Sequence, residues 1–526
     1  MTKKNKVAFI GICSGDKDLI NKWVASGDLP NIKNLLETGL VGETTGLPGV
    51  YVGAHWPSFI TGCTPATNRV HSWEQLRPGS YESYRCKAGD HMQKPQFWET
   101  LSAQGVRSCI LDIPHSRVSP DINGLQTVEW GAHDAAYGFH ASSDALRREI
   151  VSRFGLHPVS GNSDADRPIG ELNRFADELV RGAEMKAELS EDFVQREDWD
   201  LFAQVFTEAH CGGHLLWHLH DSKHPRHAEA VEAGVGDRLR DVYVAIDEGI
   251  GRILERLDDD TTIIFLANHG IGPKYNADFL LPEILIALGV AAPADIPVEV
   301  PGAIDHVDDL VTKAWQKLPQ AFRDSVQPLR DRVRGAIHTE KTPPPKIVPS
   351  EGKCFFVRNN TAHAGIRVNL VGREPNGQVQ PDAEYEAFLD ELTSDLKGII
   401  NLDTGKAVVN EVYRCDEIYD GPERDHLPDL FVDWTNDAPI ERLCSNKIGH
   451  VSGTYSYCRT GEHRPDGLFV AKGPGISAKR LPRKVTCIEF APTIAELLGV
   501  ELPDVDGRPI HELLQAVKPL AEQRQG

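Results

Sequence analysis

Four short apolar runs recur far apart in this chain, at residues 7–12, 108–113, 201–206 and 261–267, and each gives way to a polar or glycine-bearing segment. Near-continuous apolar runs of this length read as strands buried on both faces, the signature of a parallel sheet. Residues 18–36 carry helical spacing, interrupted near Pro30, and complete one β-α unit. The pattern predicts an α/β fold, a mainly parallel sheet with helices on both faces. Chemistry in such sheets gathers outside the carboxyl ends of the strands. Cys13, Asp112, His210, Asn268 and His269 all fall at or just past such ends.

At 526 residues the chain is too long for one simple core. The texture changes over residues 274–350, with proline-rich loops, a charged helical stretch at 311–337 and the linker TPPPKIVPS. This predicts an inserted cap between a first core part, 1–273, and a second, 351–526. Within the second part, 354–370 and 429–433 read as strands and 486–498 as a late helical region.

Composition excludes several partners. Lys and Arg total 56 against 77 for Asp and Glu, a formal charge of -21, with no basic blocks interleaved with aromatics, so a nucleic-acid polymer is not expected. A small anionic substrate stays compatible with this charge, because a bound cation outweighs a distant acidic surface. No stretch approaches the roughly 20 apolar residues of a membrane span. The apolar run after the N-terminal lysines leads straight into Ser-Gly-Asp without a cleavage site, and ten scattered cysteines fit a reducing compartment, so a cytoplasmic location is expected. The sequence leaves a homo-oligomer open.

Histidines carry the chemistry. In EAHCGGHLLWHLHD, His210, His214 and His218 fall at successive i, i+4 positions and share one stripe of a helix. His269 sits in ANHG and His463 in GEHRPDG. Neutral imidazole is a strong ligand for zinc, so His210, His214 and His463 read as metal ligands. His218 reads as a neighbour of the site alongside Asp221, Cys211 as a packing residue, and Asp16 as a helix N-cap. Arg459, Arg464 and Lys472 flank the late motif, where guanidinium groups suit an anion.

WPSFITGCTPATNRVHS, ANHG, GIRVNLVGREPNGQV, GEHRPDGLFVAKGPGI and APTIAELLGVELPDVDGRPI together resemble the type I phosphodiesterase and nucleotide pyrophosphatase family of the alkaline phosphatase superfamily. The resemblance implies an alkaline-phosphatase-like fold, two metal ions and phosphoester hydrolysis. One ion would rest on His210, His214 and His463, with histidine where the family has an aspartate. The other would involve Cys13, the region 51–53, Asn268 and His269, with both family aspartates replaced. Such ligands favour zinc, in one or two ions, with iron or manganese as alternatives. The family's nucleophilic hydroxyl falls on Val52, so the expectation is attack by metal-bound hydroxide, with the neighbouring Tyr51 and Asn268 as catalytic candidates and His55, Arg459 and Arg464 meeting the substrate. Two other readings stay open: a metal-binding pseudoenzyme, and a repurposed enzyme with a His/Cys redox metal.

Overall fold

The computed structural model describes residues 5–133, 137–159, 167–294, 347–455 and 458–517. The charged stretch at 311–337, and with it residues 295–346 of the cap expected at 274–350, lie outside the described residues.

Nine strands among the described residues form one sheet, in the order Lys479–Val485, Leu40–Thr45, Asp466–Lys472, Thr261–Ala267, Lys6–Ile12, Leu201–Phe206, Ser108–Leu111, Gly124–Val128 and His140–Ala141. The central strands are parallel, and Asp466–Lys472 and His140–Ala141 run antiparallel to their neighbours. All four apolar runs are strands of this sheet, and the fold is the expected α/β architecture. Register sets where the strands stop: Ile12 pairs with Phe206 on one side and with Ala267 on the other. The three strands therefore end level, and the residues after them (Cys13, Thr207 and Asn268) emerge side by side.

Both faces are covered, because successive side chains point to opposite faces. Ile10, Ile12, Phe202 and Phe206 pack into one core with the helices Leu172–Val194 and Arg238–Leu254. Val7, Phe9, Ala203 and Val205 pack into another with Trp56, Phe59, Trp98 and Phe490. At about 1.5–3 kcal/mol for each large apolar side chain fully buried, these two layers are the main source of the sheet's stability.

The strands expected within 354–370 and at 429–433 also form, but in a second sheet. Cys354–Asn359, His363–Val368, Leu430–Trp434 and Val409–Arg414 pair antiparallel and share a third apolar core with the helix Ala383–Lys397. This sheet is tied to the turn that follows Leu40–Thr45, where Asn359 Nδ2 donates to the carbonyl of Gly49 at 2.6 Å.

Candidate metal centre

The helix Glu208–His220 begins two residues beyond the strand Leu201–Phe206, so its first turns stand over the carboxyl edge of the sheet. His210 and His214, one turn apart, both face the chain's other histidines there. His463 arrives on the short strand Gly461–Arg464, paired antiparallel with Gly270–Pro273 so that His463 lies opposite Ile271. Close approach fixes its position. Thr460 N–H donates to the carbonyl of His214 at 2.7 Å, and a Cβ on Gly461 would run into the carbonyl oxygen of Gly213. Only glycine permits that contact between strand and helix.

The result is a buried cluster. One ligand atom from each of His210, His214 and His463 lies within 4.8 Å of the others, and His214 Nε2 is 3.1 Å from His463 Nε2. His214 Nδ1–H donates to the carbonyl of Gly461 at 2.8 Å, which leaves Nε2 of the neutral ring as its lone pair. Burial holds His463 well below the usual imidazole range and His269 down to about 3. Both rings are thus uncharged, the form that binds metal.

Ser14, which the sequence reading missed, stands at the centre. Its Oγ lies 3.1 Å from His210 Nδ1 and 3.2 Å from His463 Nδ1, and its N–H donates to Asn268 Oδ1 at 2.8 Å. The residue is fully buried and has φ of +56°, a left-handed conformation that disfavours any residue with a Cβ. Asp16 caps the next helix, accepting from the N–H groups of Asp18 and Leu19, and its other oxygen accepts from Ile271 N–H at 3.2 Å. The turn after the first strand is thereby tied to the strand pair that carries His463.

A second group forms beside the first. Cys13 Sγ lies 3.3 Å from His133 Nε2 and 3.6 Å from His210 Nδ1, and the indole N–H of Trp56 donates to the sulfur at 3.2 Å. His133 was also missed. It comes from the loop after the strand Gly124–Val128, whose path is set by the Asp112 carboxylate accepting from Trp130 N–H at 2.9 Å and Gly131 N–H at 2.7 Å. Asp112 thus shapes the loop.

The remaining candidates surround these two groups. Cys13 gathers with His133 and His210, whereas the His269 ring centroid lies 4.6 Å from His463 and 5.4 Å from His55. Tyr51 donates its hydroxyl to the carbonyl of His463 at 2.9 Å, and burial pushes that phenol well above its ordinary range. His55 is buried, with neither ring nitrogen hydrogen-bonded among the described residues. His218 turns to Thr460, with Nδ1 3.0 Å from its hydroxyl, and Cys211 packs in the core. Arg459 Nη1 donates to Thr361 Oγ1 at 3.4 Å, Arg464 lies along Gly272, and Lys472 reaches outward to Asn34. Next to His463, burial alone would raise the Glu462 carboxyl, but Lys274 holds it down to about 2.

The model of the family described as Type I phosphodiesterase / nucleotide pyrophosphatase matches residues 7–433. The chain belongs to this family. Among solved structures it is similar to phosphonoacetate hydrolase from Sinorhizobium meliloti 1021 in complex with phosphonoacetate. The TM-score is 0.51 at 12% identity, covering 94% of this chain and 96% of that one. The same enzyme in complex with phosphonoformate gives a TM-score of 0.52 at 12% identity with the same coverage. At that identity the likeness shows the fold alone. No curated protein matches the sequence. For this phosphodiesterase-family chain, no helix among the described residues is long and apolar enough to cross a membrane.

Proposed function

We propose that this chain is a metal-dependent hydrolase of a small phosphorylated anion, with His210, His214 and His463 as the ligands of its principal ion, zinc. The carrying observation is the approach of His214 Nε2 to His463 Nε2 at 3.1 Å. Two nitrogens at about 2.0–2.1 Å on a tetrahedral zinc stand roughly 3.3 Å apart, so the pair needs only a small adjustment to share an ion. The donor set fits too, since burial keeps His463 neutral and His214 spends its N–H on the Gly461 carbonyl. When bound, the ion supplies positive charge against a phosphoryl oxygen.

The chain's own residues do the rest. Val52 carries no hydroxyl where the family has its nucleophile, and the Tyr51 hydroxyl is committed to the His463 carbonyl. Ser14 Oγ lies between His210 Nδ1 and His463 Nδ1 and holds those rings in place. In this reading water is the attacking group. Arg459, whose charge bears on both Glu462 and His463, is the cation placed to meet the anion. No disulfide joins any of the ten cysteines, which supports a reducing, cytoplasmic setting.

The test pairs metal analysis of the purified chain with turnover of an aryl phosphodiester, a phosphate monoester and phosphonoacetate. Zinc removal and His214→Ala should each abolish turnover, with readdition of zinc rescuing only the wild type. Undiminished turnover by metal-free protein would sink the reading. The missing hydroxyl at Val52 favours a second one, a metal-binding protein without hydrolysis, and retained zinc with no turnover on the whole panel decides for it.

A further inference from the structure

We infer that Lys186 is a positioning residue of the metal centre: its buried ammonium fixes the turn from the strand Leu201–Phe206 into the helix Glu208–His220, and so sets where that helix presents His210. This rests on the proposed function in that His210 is a ligand there. Lysine is almost never fully buried unless it is paired, yet Lys186 has no exposure at all, inside the helix Leu172–Val194. An ammonium has three N–H donors, and here the three acceptors fall within residues 205–208. Lys186 Nζ is 3.2 Å from the carbonyl of Val205, 2.9 Å from Thr207 Oγ1 and 3.2 Å from Glu208 Oε1. His210 follows two residues later.

Two further bonds anchor that turn to its surroundings. Thr207 Oγ1 donates to the carbonyl of Gly131 at 2.6 Å, in the loop after Gly124–Val128. Val159 N–H donates to His157 Nδ1, so the proton of that ring is on Nε2 and goes to Glu208 Oε1 at 3.0 Å. A Cβ on Gly131 would come 2.7 Å from Lys186 Cε, and one on Gly182 would come 2.6 Å from His157 Nε2. The side chains have no room to shift. Stability does not account for the arrangement, because a buried ion pair often contributes no more than apolar groups of similar volume, whereas loss of one partner is strongly destabilising. What the ammonium adds over an apolar side chain is direction, three bonds aimed at one turn of backbone.

Zinc affinity, measured in the full-length chain by competition with a chromophoric chelator, separates placement from stability when the urea midpoint is measured beside it. Lys186→Met strands the Glu208 charge and should lower both. Lys186→Met combined with Glu208→Gln leaves no charge stranded and keeps an acceptor for His157, so its urea midpoint should return to near that of the wild type. Its zinc affinity should stay about 10-fold low, the lower end of what loss of a ligand's support costs, and its cobalt(II) form should show altered visible bands. Those bands read geometry at the ion. Thr207→Val keeps both charges, removes one acceptor and should also weaken zinc binding. A double variant with wild-type zinc affinity and cobalt bands would confine Lys186 to stability and overturn the inference. Should the double variant fail to fold, unchanged affinity in Thr207→Val overturns it in the same way. A wild type that holds no zinc overturns the metal centre and this inference together, so the wild-type titration tells the two failures apart.

Discussion

Ser14 ties two of the ligand rings to the turn after the first strand. Its hydroxyl touches the Nδ1 atoms of His210 and His463, and its N–H is held by Asn268. With Nδ1 of His463 engaged there, Nε2 is the nitrogen turned toward His214. Partners of this kind orient a ligand ring, and their loss costs about 10–100-fold in metal affinity. Ser14→Ala should therefore fold normally but lose zinc to a chromophoric chelator at about 10–100-fold lower competitor concentration, and unchanged affinity would remove Ser14 from this role. The sequence could expose His210, His214 and His463, because ligand spacing on a helix and a late histidine motif are local patterns. It could not expose Ser14, whose distinguishing property is a backbone φ of +56°. Nor could it expose His133, since that loop's path depends on Asp112, fifteen or more residues away.

Among elements, the decisive contact is between the helix Glu208–His220 and the strand Gly461–Arg464. Gly461 lies against the carbonyl of Gly213, and Gly213 in turn lies against Ile271 on the paired strand. Three elements thus meet at glycine, and that closeness sets the distance from His214 to His463. Gly461→Ala forces them apart. Overpacking of this type costs about 1–3 kcal/mol, which urea denaturation should report, together with weakened zinc binding. A variant as stable as wild type, with full zinc affinity, would show that the strand adapts freely. The elements themselves were largely legible: 201–206 and 261–267 are strands over those residues, and 7–12 extends by one. Which sheet a strand joins was less so. The runs at 354–370 and 429–433 have the same apolar texture as the central strands yet build the antiparallel sheet, because a short apolar run records burial and not its partners.

Across the whole molecule, burial of imidazoles ties stability to pH. Burial lowers His71 to about 3, and it does the same to His218, both from an ordinary value of 6.5. Between those limits the unfolded chain carries a proton on each ring that the folded chain does not. Unfolding then takes up protons, so stability is full above about 6.5 and falls as the pH drops toward 3. Each such ring contributes a slope of roughly 1.4 kcal/mol per pH unit. Glu462 acts in a different window: lowered from 4.5 to about 2, it adds stability that is lost only as the pH falls below 4.5. From pH 6.5 to 5 the buried histidines each contribute this slope, and His71 lies outside the metal centre, so its contribution can be isolated. Urea midpoints measured across that range should fall steadily for the wild type and less steeply for His71→Gln, by about one proton's worth of slope. Equal slopes would mean that His71 takes up its proton in the folded protein as readily as in the unfolded one.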